Sequence, residues 1–172
     1  ASLRAGRRVS VERPATLAEG IRVGTAGERT FEVIRRLVDD VVTVEERDLV
    51  EAVVETLQKS KVVPEGAGVA SIAAVGRVEA RGKRCAAVSG GNIDLNQLGR
   101  LIESGLADQG FTHLVRLRTP DVSGQLNRVV SVLAETGCNI LDVQHYRGGW
   151  RVPIGFVDVE ILVETRRAGQ GQ

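Results

Sequence analysis

Hydrophobic and polar positions along this chain follow two alternating periods. From Phe31 the apolar positions Val33, Ile34, Leu37 and Val38 recur at helical spacing and predict a short amphipathic helix. The β-branched run that follows, residues 40–44, predicts a buried strand. Thr43 with Glu46 three residues later forms a capping-box pattern. Leu49, Val50, Val53, Val54 and Leu57 then lie on one face of a second helix, expected to end near Lys59. Pro64 breaks the chain, and the small residues 66–74 predict a helix packed closely on its neighbours. Residues 84–88 predict another strand, and Leu95, Leu98, Leu101, Ile102 and Leu106 mark the helix after it. Helices alternating with short apolar strands imply an α/β layer with a largely parallel sheet.

The alternation restarts after residues 105–112. Residues 114–119 alternate as a strand, residues 120–124 turn, and a helix carries Leu126, Val129, Val130 and Leu133. Gly137 is the expected C-cap of that helix, and residues 139–146 begin another strand. In residues 156–164, Val157, Val159, Ile161 and Val163 alternate with Asp158, Glu160 and Glu164, so one face of a strand is apolar and the other charged. The second region therefore reads strand, helix, strand, strand. Residues 1–27, with Pro14, Gly20, Gly24 and Gly27, read as connecting structure, with a helical tail near residues 2–4 and an extended piece near residues 9–11. The expected division is a first domain over 1–107, a linker over 108–113 and a second domain over 114–172, whose end past Arg166 reads as disordered.

Composition narrows the function classes. The 172 residues are 42% hydrophobic and 26% charged, enough for one ordinary core or two small ones. A formal net charge of +1 with interspersed signs, and only 3% aromatic residues, argues against nucleic acid and membrane surfaces as partners. No apolar run approaches the roughly 20 residues that span a bilayer, and a cytoplasmic location is expected. Cys85 and Cys138 lack metal spacing and read as small buried hydrophobes. His113 and His145 are isolated, so no metal site is expected.

The chemistry concentrates in residues 85–94, an apolar run ending in Ser89-Gly90-Gly91-Asn92 before an amphipathic segment. Strand, tight turn and helix N-terminus in that order make a socket for a polar cofactor, with free backbone N–H groups directed into it. Together with Thr16-Leu17-Ala18-Glu19-Gly20-Ile21, the segment 30–44 and Val63-Pro64-Glu65-Gly66-Ala67-Gly68, this string resembles the threonine ammonia-lyases, relatives of serine racemase within fold-type II pyridoxal-phosphate enzymes. The resemblance implies an α/β chain corresponding to the C-terminal half of the three-layer enzyme domain. It also implies that Ser89 faces the cofactor's pyridine nitrogen, that Gly90 and Gly91 permit close backbone approach, and that Glu65 lines the same pocket.

The family's Schiff-base lysine, phosphate loop and substrate loop match nothing in this sequence; Lys59, Lys61 and Lys83 fall at no catalytic position. The expectation is therefore no catalytic residue here, and pyridoxal 5'-phosphate held by the intact family enzyme rather than by this chain alone. The missing N-terminal half of the domain becomes the expected partner, within a homo-oligomer. Residues 114–165 resemble a truncated ACT domain, an amino-acid-sensing α+β module, here βαββ. That resemblance makes Asp121, Gly124, Gln125, Leu126 and Asn139 candidates for binding an effector such as isoleucine or valine, as in allosteric control of isoleucine biosynthesis. The alternative reading is a non-enzymatic amino-acid-binding or dimerisation module.

Overall fold

A computed structural model describes residues 1–13, 15–79, 81–148 and 152–165. Pro14 and the tail expected to be disordered past Arg166 lie outside the described residues. The chain divides into two compact units, Ala1–Ile102 and Glu103–Gln172.

In the first unit α1 (Ser2–Ala5) and a 3-10 turn (Glu19–Ile21) precede α2 (Glu28–Leu37) and α3 (Glu46–Ser60). α3 forms because Leu49, Ala52, Val53 and Thr56 repeat at three- and four-residue spacing and are all buried. Its capping box is displaced from the expected one. Glu45, not Thr43, is the N-cap, and its backbone N–H donates to the Asp48 carboxylate at 2.8 Å. α4 (Ala70–Ala74) continues as a 3-10 turn (Val75–Arg77). Residues 66–69 are a turn rather than the first part of the expected helix, because their glycines are taken up by packing against other segments. α5 (Leu95–Asp108), which begins in this unit and runs past its end at Ile102, is capped by the Asp94 carboxylate, which accepts from the Asn96 and Gln97 N–H groups. Ala52, Val53, Val69 and Leu101 form the core, with Leu17, Ile72 and Ile93 packed around it.

The two strands expected in this unit, over residues 40–44 and 84–88, carry no ladder, and among its described residues the unit has no strand at all. Val41 and Val42 are exposed rather than buried, and so is Cys85. A strand is stabilised by its neighbour, and neither segment has one among the described residues. The expected parallel layer is therefore not formed by the described residues.

The second unit is a sheet backed by a helix. β1 (Thr112–Pro120), α6 (Gln125–Glu135), β2 (Asn139–Arg147) and β3 (Phe156–Glu164) follow the expected strand, helix, strand, strand order. Both β1 and β2 pair antiparallel with β3, giving the order β1-β3-β2, with an irregularity between Ile140 and Asp142. Val157, Val159, Ile161 and Val163 are all buried, packed with Val115 and Leu117 of β1 and with Val129 and Leu133 of α6. Gly137 closes the helix with φ 74, the left-handed geometry that favours glycine. On the opposite face Arg118 grips Asp158 with two bonds, Nε–Oδ1 at 2.6 Å and Nη2–Oδ2 at 2.9 Å, and Arg116 Nε meets Glu160 Oε1 at 2.9 Å.

The buried row of β3 sets the stability of this unit. Ile161→Ala empties a fully buried central position and should cost about 2–5 kcal/mol in denaturant unfolding. Ile154→Ala, at a fully exposed side chain, should stay within about 0.5 kcal/mol of the parent. The Arg118 hydrogen bond, opposed by desolvation and helped by the arginine's charge, holds the Asp158 carboxyl below its ordinary pKa. Its contribution to stability is thus present above the ordinary carboxylate value of about 3.9 and is lost as pH falls through the lower folded value. A carboxyl-carbon NMR titration should place the Asp158 midpoint below that of a free aspartate, and Arg118→Ala should return it to the ordinary value.

Candidate functional site

The candidate site is built where the segments carrying Glu65 and Ser89 meet. The Glu65 N–H donates to the Gly90 carbonyl at 3.0 Å, and the Ser89 N–H donates to the Gly68 carbonyl at 3.3 Å. A few residues further out, Ser71 Oγ donates to the Ala87 carbonyl at 2.6 Å. These bonds lay the 63–68 turn directly on the 87–91 segment. The fit requires glycine for space rather than for backbone conformation, since none of Gly66, Gly68, Gly90 or Gly91 has positive φ.

A Cβ on Gly68 would overlap the Gly90 carbonyl oxygen, and one on Gly90 would overlap the Glu65 carboxylate. A Cβ on Gly91 would lie 2.7 Å from the Val63 carbonyl oxygen, and one on Gly66 would lie 2.5 Å from that of Leu17. The loop 16–21 closes the third side, with the Cβ position of Gly20 3.5 Å from Glu65 Oε1. Glu46 on α3 anchors that loop by accepting from the Leu17 N–H at 2.8 Å. Three strings far apart in sequence thus converge on the Glu65 carboxylate.

The structure brings Ser89, Gly90, Gly91 and Glu65 together, and it leaves their polar groups available. Ser89 is exposed, and neither its hydroxyl nor the Glu65 carboxylate has a hydrogen-bond partner among the described residues. The N–H groups of Gly90, Gly91 and Asn92 are likewise unpaired there. The expected free amides therefore belong to the glycine turn; those at the start of α5 are taken by Asp94. A hydroxyl, a carboxylate and three amides around a glycine turn can accept a planar polar ring at short range, which suits the pyridine-nitrogen end of a cofactor. No phosphate cradle accompanies them among the described residues. The close packing expected of the small residues 66–74 is found at Gly66 and Gly68, whereas Gly20 carries no such signal in the sequence.

The second candidate set is divided. Asp121 follows β1 and pairs with Arg147 Nε at 3.1 Å, while its N–H donates to the Gly155 carbonyl. Gly124 (φ 89) is the N-cap of α6, Gln125 begins the helix, and Leu126 is partly exposed. Asn139 pairs opposite Glu164, whereas the loop holding Asp121 adjoins the Pro120–Phe156 pair. Asn139 is therefore at the other end of the sheet from the remaining four. Arg147 is the loop's partner that the sequence did not announce.

Residues 1–91 match the family model described as "Pyridoxal-phosphate dependent enzyme". The chain is 42% identical over 167 residues to an L-threonine ammonia-lyase of Thermotoga maritima, covering 96% of this chain and 42% of that protein. It is 39% identical over 168 residues to an L-threonine ammonia-lyase of Geobacter sulfurreducens, with the same coverage of 96% and 42%. The chain thus spans less than half the length of these relatives. Among solved structures, a threonine deaminase from T.th. matches with a TM-score of 0.50 and 41% identity over 55% of this chain and 35% of that one. Threonine deaminase isoform 2 of Solanum lycopersicum matches with a TM-score of 0.50 and 25% identity, over 59% and 31%.

The glycine packing gives a coupled prediction. Gly90→Ala should destabilise the first unit by about 1–3 kcal/mol through overpacking, and Glu65→Ala in the same chain should recover most of that loss. Gly68→Ala, which meets backbone, should not be recovered by Glu65→Ala. A double-mutant cycle in denaturant unfolding reads both.

Proposed function

We propose, from the premise that this chain belongs to the pyridoxal-phosphate dependent enzyme family, that it is the pyridine-nitrogen side of a threonine/serine ammonia-lyase, which converts threonine to 2-oxobutanoate and ammonia. The observation that carries this reading is the convergence of residues 16–21, 63–68 and 89–91 on the Glu65 carboxylate at glycine-to-backbone distances, next to a serine hydroxyl with no partner among the described residues. When bound, pyridoxal phosphate supplies an electron-withdrawing ring that eases loss of the substrate's α-proton.

Ser89 would meet the ring nitrogen as a neutral hydrogen-bond partner. A carboxylate at that position would hold a proton on the nitrogen and strengthen the ring's pull. A hydroxyl tempers it, which suits elimination of a β-hydroxyl, a step needing only brief stabilisation of charge at the α-carbon. Gly90 and Gly91 leave room for the ring to approach backbone, and Glu65 sets an anionic wall beside it. The proton-transferring lysine and the phosphate loop would come from the N-terminal half of the domain, so this chain alone has no turnover.

The second unit is read as the regulatory part, an ACT-like sensor. The βαββ order and the left-handed Gly124 at the start of α6 favour it. Asp121, Gly124, Gln125 and Leu126 would meet an amino-acid effector, isoleucine or valine. Asn139 would join them only from another chain.

The test mixes the full chain with a separately expressed N-terminal half of a relative, pyridoxal phosphate and L-threonine. Release of 2-oxobutanoate is expected. Ser89→Ala should slow it roughly fivefold, the loss of about one hydrogen bond of 1 kcal/mol. No release from any combination, including the two pieces fused in one chain, counts against the reading.

A further inference from the structure

Arginine is concentrated in residues 4–13, where Arg4, Arg7, Arg8 and Arg13 are all exposed and Glu12 is the one carboxylate among them. Arginines at this density mark a solvated face, and residues 7–13 form neither helix nor strand. Ser10 lies in the middle of that stretch. Of all the serines and threonines in the sequence, Ser10 alone has arginine both two and three positions before it, Arg8 and Arg7, and the residue after it, Val11, is 48% exposed.

Ser10 is exposed, and its hydroxyl meets the Thr25 hydroxyl at 2.7 Å. Beside it the Val11 N–H donates to the Gly24 carbonyl at 2.8 Å, so residues 10–11 lie along residues 24–25. Two guanidinium groups reach the same segment. Arg8 Nη1 donates to the Ala26 carbonyl at 3.5 Å, with its other terminal nitrogen 3.9 Å from Glu28 Oε2, and Arg13 Nε lies 3.4 Å from the Cβ position of Gly24. Thr25 therefore stands between the residue that Arg13 touches and the one that Arg8 touches. Arg7 and Arg13 have no hydrogen-bond or ion-pair partner among the described residues. An exposed hydroxyl in irregular chain, preceded by two cations and followed by an apolar residue, has the charge pattern that an acidic peptide groove selects. Arginines on both sides of it are also the groups that hold a phosphate once it is there.

We infer that Ser10 is a phosphorylation site, selected through Arg7 and Arg8 by a serine kinase with an acidic peptide groove, and that Arg8, Arg13 and the Thr25 hydroxyl receive the phosphate. The Ser10 oxygen bonds to the γ-phosphorus of ATP as the bond from that phosphorus to its bridging oxygen breaks; ADP leaves, and the hydroxyl proton passes to the kinase's carboxylate base. The Ser10 and Val11 contacts join the two ends of residues 11–24, the stretch that carries loop 16–21 to the Glu65 carboxylate, so the phosphate places its charge at the base of that loop. The inference stands independently of the proposed function.

The chain supplies its own comparator. Ser131 is exposed, with Arg128 three positions before it and Val132 after it, but it lies inside α6 and has no second arginine. The test incubates the full chain with magnesium, ATP and a kinase selective for arginine two and three residues before serine, and maps the product by fragment mass spectrometry. One phosphoryl group at Ser10 is expected, with Ser131 at least tenfold slower, and Arg7→Ala combined with Arg8→Ala should slow Ser10 at least tenfold. On the phosphorylated chain, a phosphorus NMR titration should place the second phosphate ionisation below its ordinary value of about 6, because nearby cations favour the dianion. Arg13→Ala, outside the residues the kinase selects, should raise it back toward that value. No phosphoryl group at Ser10, or labelling of Ser131 as fast as Ser10, overturns the inference, and so does an ionisation that Arg13→Ala leaves unmoved.

Discussion

The backbone contact between Glu65 and Gly90 is the constraint on which the first unit depends. One N–H to carbonyl bond there, and a second between Ser89 and Gly68, bring two chain segments to a separation that side chains would prevent. The consequences spread in both directions along the chain. Val69, fully buried, follows directly from Gly68 and leads into α4, and Ile93 packs on the same core just before α5. Moving either glycine segment would shift a core residue within three positions of it. The geometry at the Ser89 hydroxyl is therefore inherited from the packing of the unit, which gives the turn the rigid support that a loop cannot provide by itself.

The sequence revealed elements whose stabilising partners are close by and obscured those whose partners are elsewhere. α3 was legible because its apolar spacing is satisfied by its own unit, and the β3 alternation was legible because both β1 and β2 flank it. Residues 40–44 and 84–88 carry equally clear strand character, but a strand's ladder is a property of two segments. Pattern alone does not show whether a described residue pairs with either segment, and none does. Cys85, in the second of these segments, is exposed for the same reason: nothing among the described residues pairs with that segment. The capping box moved by two residues because Asp48 offered a better-placed carboxylate than Glu46, whose side chain is engaged with Leu17.

At the candidate site the residue identities were legible and their mutual arrangement was not. Ser89, Gly90, Gly91 and Glu65 could be named from a resemblance, and close packing could be expected of the small residues 66–74, whereas which segments Gly66, Gly68 and Gly20 meet is visible only in the structure. In the second unit, Asn139 and Asp121 are equivalent junctions in the linear sequence, but α6 carries the chain back along the sheet and sets them at opposite ends. A helix of 11 residues rises roughly 16 Å, so two junctions flanking it cannot share one small ligand within a single chain.

The two units manage their backbone polar groups in contrasting ways, and this bears on how each could act. β3 is paired on both sides, its apolar row is buried beneath α6, and its charged row is matched by Arg116 and Arg118. The first unit instead carries segments in which most backbone donors have no partner among the described residues and in which Val41, Val42 and Val88 are exposed. Exposed apolar area disfavours that state in water by roughly 25 cal/mol for each square ångström, so any chain that covers it is favoured by the same interaction that builds ordinary cores.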